Sequence, residues 1–108
     1  MASVDVNDII SRLQWGQPAL TIIDVRDRST YNQGHIMGAL PISIEELTSR
    51  AKASLNTQRE IYLYGESDEQ TADAVKKLQV AGFTNVSEIT GGLAAWKNAG
   101  GAIEGAVS

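Results

Sequence analysis

Ile61-Tyr-Leu-Tyr-Gly-Glu-Ser-Asp-Glu-Gln-Thr-Ala-Asp-Ala74 changes character in its middle. Ile61 to Tyr64 is a short apolar run without polar alternation, the pattern of a strand buried on both faces. Gly65 breaks the run, and an acidic loop follows. From Asp68 to Val80, Thr71, Ala74, Val75 and Leu78, followed by Ala81, mark one apolar helical face, with Ser67 or Asp68 as the cap. Strand, short loop and helix N-terminus is how α/β proteins build an anion cradle. Backbone N–H groups and the helix dipole converge there.

Working outward, Leu20-Thr-Ile-Ile-Asp-Val25 is a short β-branched run read as a strand buried on both faces, and Val86 to Ile89 is read as a third strand after the turn residues Thr84 and Asn85. A helix is expected after Asp5 as N-cap, with Ile9, Ile10 and Leu13 toward the core and Gly16 with Pro18 ending it. Arg26 to Ala39 reads as a loop with helical turns, and Leu40-Pro41-Ile42 as an edge strand. Ser43-Ile-Glu-Glu46 reads as a capping box opening a helix toward Leu55. Gly91-Gly92 opens a last short helix that carries Trp96, and the tail from Ala102 to Ser108 has little to fold with. Strands alternating with helices predict α/β architecture: a central, mostly parallel sheet flanked by helices on both faces, in one domain over residues 1–108.

Composition removes several function classes. The chain has 108 residues, 43% hydrophobic and 20% charged, as expected of a soluble globular domain. Without cysteine there is no disulfide, thiolate catalysis or Cys-type metal site. His35 is the only histidine, so a His-rich metal site is excluded as well. Net charge is −4 with no basic stripe, which disfavours nucleic acid. No stretch has the length of a membrane span, and the N-terminus lacks a signal pattern, so a cytoplasmic location is expected.

Three separated segments resemble the rhodanese-like family, the thiosulfate sulfurtransferase homology domain. Asp24-Val-Arg26, Tyr31 and Gly34-His-Ile-Met-Gly-Ala39 are similar to its Asp-Val-Arg … Glu-Tyr-x-x-Gly-His-Ile-x-Gly-Ala signature. The strand, loop and helix from Ile61 to Ala74 resemble its active-site segment. Thr90-Gly-Gly-Leu-Ala-Ala-Trp-Lys-Asn-Ala-Gly100 is similar to its Gly-Gly-x-x-Ala-Trp-x-x-Ala-Gly ending. The resemblance implies a three-layer sandwich and a catalytic loop after the strand ending at Tyr64, where active members carry a persulfide-forming cysteine and usually an arginine. It implies structural roles for Asp24, Arg26, His35, Gly91, Gly92 and Trp96.

Gly65 stands where that cysteine belongs. Asp68, Gln70 and Thr71 stand where glycine, arginine and serine are common, and Thr30 replaces the glutamate before the motif tyrosine. Gly65, Glu66, Ser67, Asp68, Glu69, Gln70 and Thr71 therefore read as a vestigial active-site loop, with no catalytic residue, no metal ligand and no cofactor expected. Glu66, Asp68 and Glu69 reverse the charge of the cradle. A carboxylate about 4 Å from a bound anion opposes it by on the order of 1 kcal/mol in water. The expected function is a catalytically inactive module with a basic protein partner at the acidic loop. The alternative is altered chemistry in the same cleft, a hydrolase using Ser67, Thr71 or a metal. A hydroxyl nucleophile needs a base, and His35 is the sole imidazole. Asp24 reads as a cap of the following loop or as a functional acid at a strand end.

Overall fold

The computed structural model describes residues 2–4, 6–14 and 20–105. Asp5, Trp15, Gly16 and Pro18, the side chain of Leu13 and tail residues 106–108 lie outside the described residues. The order is β1 (Ala2–Val4), α1 (Val6–Gln14), β2 (Thr21–Asp24), α2 (Arg28–Gln33), β3 (His35–Ile36), β4 (Leu40–Pro41), α3 (Leu47–Ser54), β5 (Ile61–Tyr64), α4 (Asp68–Val80), β6 (Val86–Ile89), α5 (Gly92–Asn98) and β7 (Ile103–Glu104).

Five strands form a parallel sheet in the order β1-β6-β5-β2-β4, with β5 in the middle. Ile22 sits opposite Tyr62, and Ile23 opposite Leu63. Alternation along these strands sends side chains to two cores. Ile23, Val25, Ile61, Leu63 and Val86 pack with Leu47 and Ala51 of α3 and with Ala74, Val75 and Leu78 of α4. Ile22, Tyr62, Tyr64 and Ile89 pack on the other face with Val6 and Ile9 of α1 and Trp96 of α5. Ile61, Leu63 and Leu78 are fully buried, each burial being worth about 1.5–3 kcal/mol. The absence of polar alternation follows from this two-sided cover, and the mostly parallel α/β fold is the one the sequence implied.

Three local expectations need correction. The stretch after Arg26 is not mainly loop, because Arg28–Gln33 is helical. The Asp27 carboxylate accepts the Thr30 N–H at 2.9 Å and caps it. The segment from Ser43 to Glu46 does not form a capping box. Ser43 Oγ meets the Glu46 carboxylate at 3.5 Å, the Glu46 N–H donates to the Ser43 carbonyl, and α3 starts only at Leu47. The tail also folds further than expected: Ile103–Glu104 pairs antiparallel with His35–Ile36 in a second, two-stranded sheet.

Candidate functional site

The loop after β5 leaves the carboxyl end of the central strand, where parallel α/β sheets bind their ligands. Its cleft, about 230 Å³, is lined by Gly65, Glu66, Ser67, Asp68, Gly91 and Gly92. Gly91 (φ 83°) and Gly92 (φ 58°) both take left-handed conformations, which suits glycine, and turn the chain from β6 into α5 beside the loop.

The loop supplies its own hydrogen-bond partners. Ser67 Oγ accepts the Gln70 N–H at 3.1 Å and caps α4. Thr71 Oγ1 donates to the Ser67 carbonyl at 2.9 Å. Gln70 Oε1 accepts the Glu66 N–H at 2.8 Å, and Asp68 Oδ1 accepts the Gly91 N–H at 2.9 Å. Glu66, Ser67, Asp68 and Glu69 are exposed, whereas Thr71 is buried. Asp68 and Glu69 lie in the first turn of α4, where carboxylates favour the helix dipole and oppose a second anion.

Neither loop hydroxyl is hydrogen-bonded to a base. Ser67 is engaged as a cap and Thr71 is turned to a backbone carbonyl. His35 Nδ1 lies 2.7 Å from the Tyr31 carbonyl, which can only accept, so Nδ1 carries the proton in that contact. His35 Nε2 lies 3.2 Å from Glu104 Oε1, and its ring stacks on Tyr31 at a centroid distance of 3.6 Å. Among the described residues no hydrogen bond joins His35 to Ser67 or Thr71, and no group of three or more His, Cys, Asp or Glu residues is placed to hold a metal ion.

Asp24 and Arg26 belong to a neighbouring buried network. The Asp24 carboxylate accepts from the Arg26 backbone N–H and from its guanidinium, with Nη2 to Oδ2 at 2.7 Å. Arg26 Nη2 also donates to the Gly34 carbonyl at 2.7 Å, and its guanidinium carbon lies 5.4 Å from the Tyr64 ring centroid. Thus Arg26 finds its counter-ion two residues upstream, with Thr30 in the family's glutamate position. Tyr64 Oη accepts the Ile36 N–H at 3.0 Å. Burial, and then the Asp24 carboxylate beside it, hold the Tyr64 phenol well above its ordinary range. Glu104 Oε1 accepts the Gly38 N–H at 2.9 Å as well as facing His35. Trp96 Nε1 donates to the Ala102 carbonyl at 2.9 Å.

Sequence reading did not assign Tyr64, Gly34 and Glu104 to this network. Tyr64 is the detectable one, since a buried tyrosine at a strand end needs a partner for its hydroxyl. Glu104 carried no signal, because its partners lie 66 and 69 residues away in sequence.

A rhodanese-like domain model matches residues 5–99, and the chain belongs to that family. The Alr3790 protein of Anabaena sp. superimposes with a TM-score of 0.92 at 60% identity, over 94% of this chain and 80% of that one. The thiosulfate sulfurtransferase of Pseudomonas aeruginosa superimposes with a TM-score of 0.88 at 25% identity, over 97% of this chain and 20% of that one. The HTH-type transcriptional regulator Rv0324 of Mycobacterium tuberculosis is 35% identical over 95 residues, 86% of this chain and 40% of its own length. The chain spans less than two thirds of the length of the curated relatives it matches, as in the 59% and 42% covered of two Bacillus subtilis proteins.

Proposed function

We propose that residues 1–108 form one rhodanese-like domain that does not transfer sulfur and serves as a protein-binding or regulatory module. The observation that carries this reading is Gly65 at the head of the loop, in a chain without any cysteine. Persulfide chemistry requires a thiolate acceptor, and neither Ser67 nor Thr71 has an activating base among its hydrogen-bond partners. In this reading Gly65, Glu66, Ser67, Asp68, Glu69, Gln70 and Thr71 are a former active-site loop, and Asp24, Arg26, His35, Gly91, Gly92 and Trp96 maintain its scaffold.

The module role draws support from context. A transcriptional regulator contains a segment similar to this chain within a longer protein. The exposed Glu66 and Asp68 line the cleft and the exposed Glu69 follows them in the first turn of α4, a run of carboxylates that would suit a basic protein segment. Two experiments test the two halves. Thiosulfate and cyanide are expected to give no turnover above a loop-deleted control. Proteins captured from native lysate by the wild-type chain are expected to be lost when Glu66→Gln, Asp68→Asn and Glu69→Gln are combined. Capture of the same proteins by both forms would remove the loop as the recognition surface.

A further inference from the structure

The contacts around Gly65 go beyond a missing thiol. The Glu66 N–H, one residue after Gly65, already donates to Gln70 Oε1 at 2.8 Å. A β-carbon built on Gly65 would lie 2.5 Å from that same Oε1 and 3.3 Å from Gln70 Cδ. The same β-carbon would also lie 3.2 Å from Val25 Cγ2, a tight contact. Gly65 does not lie in the left-handed region, so backbone conformation does not demand glycine there. The requirement is for space, and Gln70 is what fills it.

We infer that Gln70 is an internal ligand of the loop, its carboxamide oxygen holding the Glu66 amide in the space beside Gly65 that a side chain at 65 would take from it. Oε1 is an uncharged acceptor, so it satisfies the Glu66 amide without adding to the negative charge of Glu66, Asp68 and Glu69. An incoming oxyanion gains the Glu66 amide only by displacing this oxygen, and the displaced carboxamide must find water or another donor. The Glu66 amide is therefore withheld from an incoming anion by hydrogen bonding as well as by charge. A side chain restored at position 65, a thiol included, must first expel Gln70. The pairing is reciprocal: Gln70 stands where the family commonly has an arginine, and it reaches back four residues to the amide next to the vacant nucleophile position.

This inference rests on reading the segment as a rhodanese-type loop without its nucleophile, and its tests read the Gln70 contact directly, independently of turnover. The first measures amide exchange in the 15N-labelled chain. Gln70→Ala is expected to speed exchange of the Glu66 amide by about three- to tenfold, the equivalent of one lost net hydrogen bond. The Gly91 amide, held by Asp68, serves as the internal reference and is expected to keep its rate. Unchanged Glu66 exchange would overturn the inference.

The second is a thermal-denaturation cycle with Gly65→Ala, Gln70→Ala and the double variant. Gly65→Ala is expected to lower Tm in the Gln70 background and to lower it less once Gln70 is truncated, since the contact with Val25 is common to both backgrounds. Equal losses in both backgrounds would show that Gln70 does not occupy the space beside Gly65. Should Gly65→Ala fail to fold, the Gln70→Ala exchange rate decides alone. Sulfur transfer by the wild-type chain would overturn the proposed inactivity and leave both of these readouts unaffected.

Discussion

The network around Asp24 and the loop around Gly65 meet near the carboxyl end of the same sheet, yet they are built in opposite ways. The first joins parts of the chain that are distant in sequence. Tyr64 reaches Ile36, Arg26 reaches Gly34, and Glu104 reaches His35 and Gly38. Asp24 is 0% exposed and His35 7%. In the second, Ser67, Gln70 and Thr71 bond within the loop, only Asp68 reaches across to Gly91, and most side chains face solvent. The comparison teaches where constraint lies. A buried network that ties several elements is costly to alter, whereas a self-contained exposed loop can lose its chemistry and leave the fold intact.

The largest expected effect comes from breaking the buried pair. Arg26→Ala strands the Asp24 carboxylate, whose partner side chain is itself only 9% exposed. Loss of one partner from such a pair costs about 3–5 kcal/mol, measured as the shift of the urea midpoint. A loss below about 1 kcal/mol, the range of exposed pairs, would mean that this region is no more constrained than the loop.

Tyr64→Phe removes the acceptor of the buried Ile36 N–H and is expected to cost about 1–3 kcal/mol. Its far-ultraviolet circular dichroism should stay that of wild type, because ring packing is kept. A neutral result in the same denaturation experiment would indicate that the amide finds another partner.

On the loop side, combining Glu66→Gln, Asp68→Asn and Glu69→Gln keeps an acceptor oxygen at Asp68 and changes exposed groups only. Each substitution is expected to alter stability by no more than about 0.5 kcal/mol. A collective loss as large as that of Arg26→Ala would erase the contrast between the regions.

The smallest effect tests the tail. Hydrogen bonding from the Gly38 N–H, and then the His35 ring beside it, hold the Glu104 carboxyl below its ordinary range. A depressed folded-state pKa gives stability that is present above the unfolded carboxyl range and lost as pH falls through the folded value. The urea midpoint of the wild type should therefore exceed that of Glu104→Gln near neutral pH and converge with it under acid conditions. A difference that stays constant with pH would contradict the contact.

The framework was legible because its signals are local. The unbroken apolar run at Ile61–Tyr64 and the helical spacing from Thr71 to Leu78 report burial directly, whereas Val86-Ser-Glu-Ile89 is apolar only at its two ends. Arg28–Gln33 was legible only as helical turns in a loop, because this helix has no buried residue and hence no apolar period; its Asp27 cap is the local sign of its start. The pairing of Ile103 and Glu104 with β3 was invisible for a different reason, since two residues cannot display alternation. The absent nucleophile could be read from composition, but the contact of Gln70 with Glu66 could not. Ser67-x-x-Gln70 has the capping-box pattern, but the carboxamide bonds the Glu66 amide, one residue before the Ser67 amide that the pattern selects. The apparent capping box at Ser43 shows a related error, a correct residue pattern that the backbone does not use.

The most direct measurement of the central claim is cyanide-dependent thiosulfate turnover by the purified chain beside an active rhodanese-like enzyme under the same conditions. The absence of an acceptor thiol gives thiocyanate formation equal to that of the loop-deleted control at every thiosulfate concentration. Saturable turnover above that control, abolished by changes confined to residues 65–71, would contradict it.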